Sequence, residues 1–172
     1  MTEQESPKHW FALYTKPKHE FKASKQINGF NIETFLPVIT VKRKWSDRLK
    51  TITEPLIKGY IFIYADEKER LEAITSNGVV HTVSFNGYPA VIPEWQIESL
   101  KKMLNQPDEI IVSEKLPAGT LVEVVTLPLM GVKGVVEHNQ NNEKYISVSI
   151  EIINRSVSVK LPADSVVKLV EH

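Results

Sequence analysis

Gly59-Tyr60-Ile61-Phe62-Ile63-Tyr64 is the clearest strand in this chain of 172 residues. Side chains on both faces of this run are apolar or aromatic, so it reads as a central strand covered on two sides. Just beyond it, Asp66 stands three residues before Glu69, the spacing of a capping box that opens a helix. That helix is expected to reach about Thr75 with Leu71 and Ile74 inward, and Asn77-Gly78 stops it. Residues 79–85 follow as a strand. Pro93 opens a third helix whose apolar face is Ile97, Leu100, Met103 and Leu104.

The stretch before Gly59 completes the pattern. Residues 51–54 look like the return arm of a hairpin whose charged turn is Lys42-Arg43-Lys44-Trp45-Ser46-Asp47-Arg48-Leu49-Lys50. Residues 34–41 form the outgoing strand. Residues 18–28 form a helix with Phe21, Ser24 and Ile27 inward and a basic stripe of Lys18, Lys22 and Lys25. Residues 9–14 are an aromatic-rich first strand ended by Pro17. The order β-α-β-β-α-β plus one helix is the ferredoxin-like, split βαβ pattern of an α+β protein.

Residues 107–117 are polar and read as a linker, interrupted by Ile110, Ile111 and Val112. Beyond residue 114 the composition shifts to 12 Val and 4 Ile. Strands are expected at 121–125, 134–138, 145–150, 156–161 and 166–170, with Asn-rich turns between them. Five short strands in this space suit an SH3-like β-barrel. The expected organisation is therefore an α/β domain over 7–106, a linker over 107–117 and a barrel over 118–172.

Net charge is zero but unevenly spread: residues 1–58 hold 11 Lys/Arg against 6 Asp/Glu, a balance of +5. A clustered basic region is the footprint of a polyanionic partner, although a solvated face is an equal reading on charge alone. The chain has no Cys, which removes disulfides, thiolate nucleophiles and Cys-based zinc sites. His9, His19, His81, His138 and His172 show no ligand spacing, and there is no phosphate-binding glycine loop or nucleophile elbow. No metal, cofactor or catalytic residue is expected, and the binding-protein reading is preferred to an enzyme. No apolar run is long enough to span a membrane, and no signal-peptide layout opens the chain, so a cytoplasmic location is expected; the chain is also expected to be a monomer.

Gly119 to Val136 contains an alternating strand, Leu127-Pro128-Leu129, then Gly131 and Gly134 before another strand. This resembles the KOW motif of ribosomal and transcription-associated barrels. Trp10-Phe11-Ala12-Leu13-Tyr14-Thr15-Lys16 resembles the opening strand of the NusG N-terminal domain. Phe35-Leu36-Pro37-Val38-Ile39-Thr40, the basic hairpin and Glu54-Pro55-Leu56-Ile57-Lys58-Gly59-Tyr60-Ile61-Phe62-Ile63 resemble its centre. Ser84-Phe85-Asn86-Gly87-Tyr88-Pro89-Ala90-Val91-Ile92-Pro93 resembles the entry to its last helix. The pattern is similar to the specialised RfaH- and UpxY-type antiterminators of the NusG family, the latter associated with capsule loci.

The resemblance implies transcription antitermination, with binding to the β′ clamp helices of RNA polymerase through Tyr14, Tyr60, Phe62, Phe85, Ile97 and Leu100, while core packing is the competing reading of these residues and an equal one for Phe62 and Leu100. It also implies contact with the non-template DNA strand. Lys16 matches a nucleic-acid-contacting lysine, while Gln26 and Asn77 stand where RfaH has His and Arg. Lys18, His19, Lys22 and Lys25 extend that basic surface, and the hairpin residues Lys42, Arg43, Lys44, Trp45 and Arg48 can add to it or reach upstream duplex. The His-Thr-Thr run that RfaH uses on the polymerase gate loop is absent near Glu69, Arg70 and Leu71. The barrel is expected to stay β-structured and to recruit a further partner such as a ribosomal protein. The rival reading is a ribosome- or RNA-associated KOW protein without polymerase affinity.

Overall fold

The computed structural model describes residues 5–106 and 109–171, and these form two units, divided after Val91. Pro107 and Asp108 of the expected linker, and His172, lie outside the described residues.

In the first unit the elements are β1 (His9–Thr15), α1 (Glu20–Asn28), β2 (Glu33–Phe35), β3 (Val38–Trp45), β4 (Arg48–Pro55), β5 (Tyr60–Ala65), α2 (Glu67–Ala73), β6 (Val79–Thr82), β7 (Ser84–Phe85) and β8 (Tyr88–Pro89). Four of them make an antiparallel sheet in the order β2-β5-β1-β6. The register pairs Trp10 with Tyr64, Ala12 with Phe62 and Tyr14 with Tyr60. Alternation then places Phe11, Leu13, Ile61 and Ile63 on one face, where they pack with Ala23, Ile27 and Ala73 of the helices. Trp10, Ala12 and Phe62 on the opposite face are buried as well, so β5 is covered on both sides as its composition requires. Burying each such large apolar side chain stabilises by roughly 1.5–3 kcal/mol.

Two helix faces differ from expectation. In α1 the buried residues are Glu20, Ala23 and Ile27, whereas Phe21 is 47% exposed. The cause is a long-range bond: the Glu20 carboxylate accepts the Gly59 N–H at 2.9 Å, which fixes the rotation of the helix. In α2, Arg70 and Ala73 are buried and Leu71 is exposed, while Ile74 packs against the core as expected. The Arg70 guanidinium donates to both Glu67 oxygens and to Thr82 Oγ1, and it lies over the Phe11 ring. Its stem lies along apolar surface while every donor it uses finds an acceptor. The capping box is present, with Asp66 accepting from Glu69 N and Glu69 reaching back to Asp66 N.

The strand expected over 34–41 is two strands, broken at Leu36-Pro37. Proline cannot donate to the ladder. β3 and β4 pair only with each other, Trp45 opposite Arg48 at the tip, and stand apart from the four-stranded sheet. The strand expected over 79–85 likewise ends at Thr82, and β7 and β8 form a small hairpin through Asn86-Gly87, both with positive φ.

In the second unit the elements are α3 (Glu94–Leu104), β9 (Ile110–Ser113), β10 (Leu121–Val124), β11 (Lys133–His138), β12 (Lys144–Ile150), β13 (Arg155–Lys160) and β14 (Val167–Leu169). The strands form one antiparallel sheet in the order β14-β10-β11-β12-β13-β9. Val122, Val124, Ile146, Val148, Ile150, Val157 and Val159 supply its buried face. The apolar interruption of the expected linker is β9, which pairs along β13. α3 packs with β11 and β12 and is grouped with the second unit. The Ser99 hydroxyl accepts the Lys133 N–H at 3.0 Å, and Gln106 donates to the Pro128 carbonyl at 3.3 Å.

Candidate binding surfaces

Tyr14, next to last in β1, stands opposite Tyr60 at the start of β5. Their rings lie 5.5 Å apart, and His81 of β6 stacks on Tyr14 at 5.4 Å. Gly59 positions this cluster: its φ of +87° belongs to the left-handed region that favours glycine, and a Cβ there would touch the Tyr14 ring. Tyr14 remains 38% exposed and Tyr60 half-buried, so the cluster faces solvent. Phe85, also expected on the contact surface, is 72% exposed on β7 beside its cross-strand partner Tyr88.

The other three residues expected on that surface are placed differently. Phe62, Ile97 and Leu100 are fully buried, Phe62 stacked on Phe35 at 6.1 Å. Ile97 and Leu100 belong to α3 in the second unit. Apolar residues serving a core and apolar residues serving an exposed groove look alike in sequence, and here the core has them.

The basic residues sort into two groups. Lys16 and Asn77 are brought together because the Lys16 N–H donates to the Gly78 carbonyl at 2.8 Å. Gly78 also packs against the start of α1: a Cβ on it would come within 3.1 Å of Ala23 Cβ, His19 Cβ and the His19 carbonyl. Lys16, His19 and Asn77 therefore share one end of the sheet, with Lys18 in the connecting turn at φ 62°. Lys16, Lys18, Lys22, Lys25 and Asn77 are exposed. Gln26 is half-buried, and its Oε1 is enclosed without a hydrogen-bond partner, as is the Ser76 hydroxyl. The second group, Lys42, Arg43, Lys44 and Arg48, stands on the β3–β4 arm, where Arg43 pairs with both Glu54 oxygens at 3.0 Å.

Sequence reasoning left His81 out of the candidate set. Its place is legible only from the pairing of Tyr14 with His81 across β1 and β6, a long-range register. Among the described residues, the titratable groups moved from their ordinary range all lie in ion pairs. Hydrogen bonding to Arg70 lowers Glu67, bonding to Lys160 and then Asn139 lowers Glu143, and bonding to Glu69 raises Lys8. None of them sits in a cleft prepared for proton transfer. Among the described residues no cluster of His, Asp or Glu is arranged to hold a metal, and no helix is long and apolar enough to cross a membrane.

Comparison with known proteins adds the family. Residues 8–101 match the family model described as transcription termination factor nusG. The match runs through most of α3, the helix whose contacts group it with the second unit. A structure of Thermotoga maritima NusG, described for its domain interaction, is similar at 18% identity over 95% of this chain and 98% of that one, with a TM-score of 0.48. An MjSpt4:Spt5 complex matches at 20% identity over 95% and 97%, with a TM-score of 0.30. The family match covers more than half of the chain, so the protein belongs to the NusG family, whose members are transcription factors and not enzymes.

Proposed function

We propose that this protein is a specialised antitermination and elongation factor of the RfaH/UpxY type. It binds the clamp helices of RNA polymerase and the exposed non-template DNA strand, and it favours continued transcription of its target, a polysaccharide operon. The observation that carries this reading is the solvent-facing aromatic cluster of Tyr14, Tyr60 and His81, with the basic turn of Lys16 and Lys18 following Tyr14 in sequence. Aromatic side chains with polar tips are the enriched currency of protein interfaces, and a helix laid on such a face buries the rings while the hydroxyls stay bonded.

Tyr14, Tyr60 and Phe85 supply the polymerase contact in this reading. Lys16, Lys18, His19, Lys22, Lys25, Gln26 and Asn77 supply the nucleic-acid contact, with Lys42, Arg43, Lys44 and Arg48 adding charge from the arm. The sheet order β2-β5-β1-β6 supports a split βαβ domain, and the six-stranded Val-rich sheet supports a KOW barrel. Leu127 (77% exposed) and Met130 (52%), in the loop that resembles the KOW turn, supply an apolar docking point for a further protein such as a ribosomal one. The full chain is expected to co-purify with core RNA polymerase and to lose that association in Tyr14→Ala and Tyr60→Ala at unchanged melting temperature. Association retained in both variants would remove the aromatic cluster from the interface, and salt-sensitive RNA binding without polymerase binding would replace the reading altogether.

A further inference from the structure

The β3–β4 arm carries chemistry that folding does not use. From Lys42 to Lys50 every residue is exposed. A ribbon of two strands is marginal in water, and its tip gains little from large apolar side chains that nothing covers. Yet Trp45 is 63% exposed and Leu49 70% exposed. The register separates the side chains into two faces. Trp45 opposes Arg48 and Arg43 opposes Lys50, so alternation places these four together, while Lys42, Lys44 and Leu49 stand on the reverse. Lys50 Nζ lies 4.9 Å from the Trp45 ring centroid, on a face that also carries Arg43 and Arg48. The arm carries Lys42, Arg43, Lys44, Arg48 and Lys50 against Asp47 and Glu54.

We infer that this face of the arm is a stacking clamp for an unpaired nucleic-acid strand: Trp45 takes a base on its ring, and Arg48 and Lys50 neutralise the flanking phosphates. The inference rests on the nucleic-acid contact proposed above and adds the face of the arm and the residue that meets the bases. An indole needs an open base face, which a duplex keeps stacked inside, so the partner is a single strand. Basic charge alone would accept any polyanion; the exposed indole between cations is what selects bases. An acidic peptide would satisfy the charges and leave the ring unused.

The test titrates the full-length chain into a fluorescent 12-nucleotide single-stranded DNA, its duplex, the same sequence in RNA, and a polyglutamate peptide. Trp45→Ala is expected to weaken single-strand binding about tenfold, and Trp45→Phe to retain most of it, as base–aromatic stacking predicts. Intrinsic fluorescence supplies an independent signal, because Trp10 is only 3% exposed and Trp95 is half-buried. Quenching by the oligonucleotide should be seen in the wild type and largely lost in Trp45→Phe. A tighter complex with the RNA would keep the clamp and change the strand it serves. Equal affinity for the duplex or the peptide, or undiminished single-strand binding in Trp45→Ala, would overturn the clamp while leaving the broader nucleic-acid contact standing. No binding of wild type to any nucleic acid would remove that contact as well.

Discussion

β5 and the β3–β4 arm are strands of the same unit with opposite fates. β5 is covered on both faces, with Ile61, Phe62 and Ile63 fully buried. The outer half of the arm is exposed on both faces and carries cations and an indole. One stretch holds the fold together, and the other is free to be specified by what it binds. The comparison predicts that stability and binding divide between them.

The largest effect is expected at the centre of the sheet. Phe62→Ala removes a ring packed on Phe35 and leaves a cavity. It should lower unfolding free energy by about 3–5 kcal/mol, read from urea titration. A loss below 1 kcal/mol would mean that β5 does not organise the unit.

An intermediate effect is expected at the margin of the core. Arg70 is buried but its partner Glu67 is largely exposed, so solvent screening holds the cost of Glu67→Gln to about 0.5–1 kcal/mol. The pH sign follows from the lowered Glu67 value. The folded carboxyl ionises below its ordinary 4.5, so its contribution is complete above that value and is lost as pH falls through the folded one. Wild type and Glu67→Gln should therefore keep their full difference in melting temperature above pH 4.5 and converge as pH falls below it. A gap that persists unchanged into acid would exclude the Arg70 pairing as its source.

The smallest stability effect is expected at the tip of the arm. Trp45→Ala should change unfolding free energy by no more than about 0.5 kcal/mol, as for other exposed positions. A larger loss would make the indole structural and blur the contrast with β5.

Local chemistry made β5, the capping box of α2 and the Val-rich strands of the second unit legible in the sequence. Their signals lie within a few residues: an apolar run, Asp66 three before Glu69, alternating valines. The rotations of α1 and α2 were not legible. Phe21 looks like an inward residue until the Glu20 carboxylate meets a backbone N–H 39 positions away. Arg70 looks exposed until Glu67, Thr82 and Phe11 surround it. The grouping of α3 with β11 and β12 likewise depends on Ser99 and Lys133, 34 residues apart. The candidate surfaces divide in the same way. Lys16, Lys18, Lys22, Lys25 and the cations of the arm are exposed, because an unpaired charge resists burial. Phe62, Ile97 and Leu100 were not separable from surface aromatics by type. His81 joined Tyr14 only through strand pairing.

The central claim concerns transcription, and an elongation assay tests it most directly. RNA polymerase transcribing a template with a pause site and a terminator is supplied with wild type or with Tyr14→Ala. The account predicts shorter pausing and more read-through with wild type, and neither with Tyr14→Ala. Unchanged pausing and termination with wild type demonstrably bound to the polymerase would contradict it.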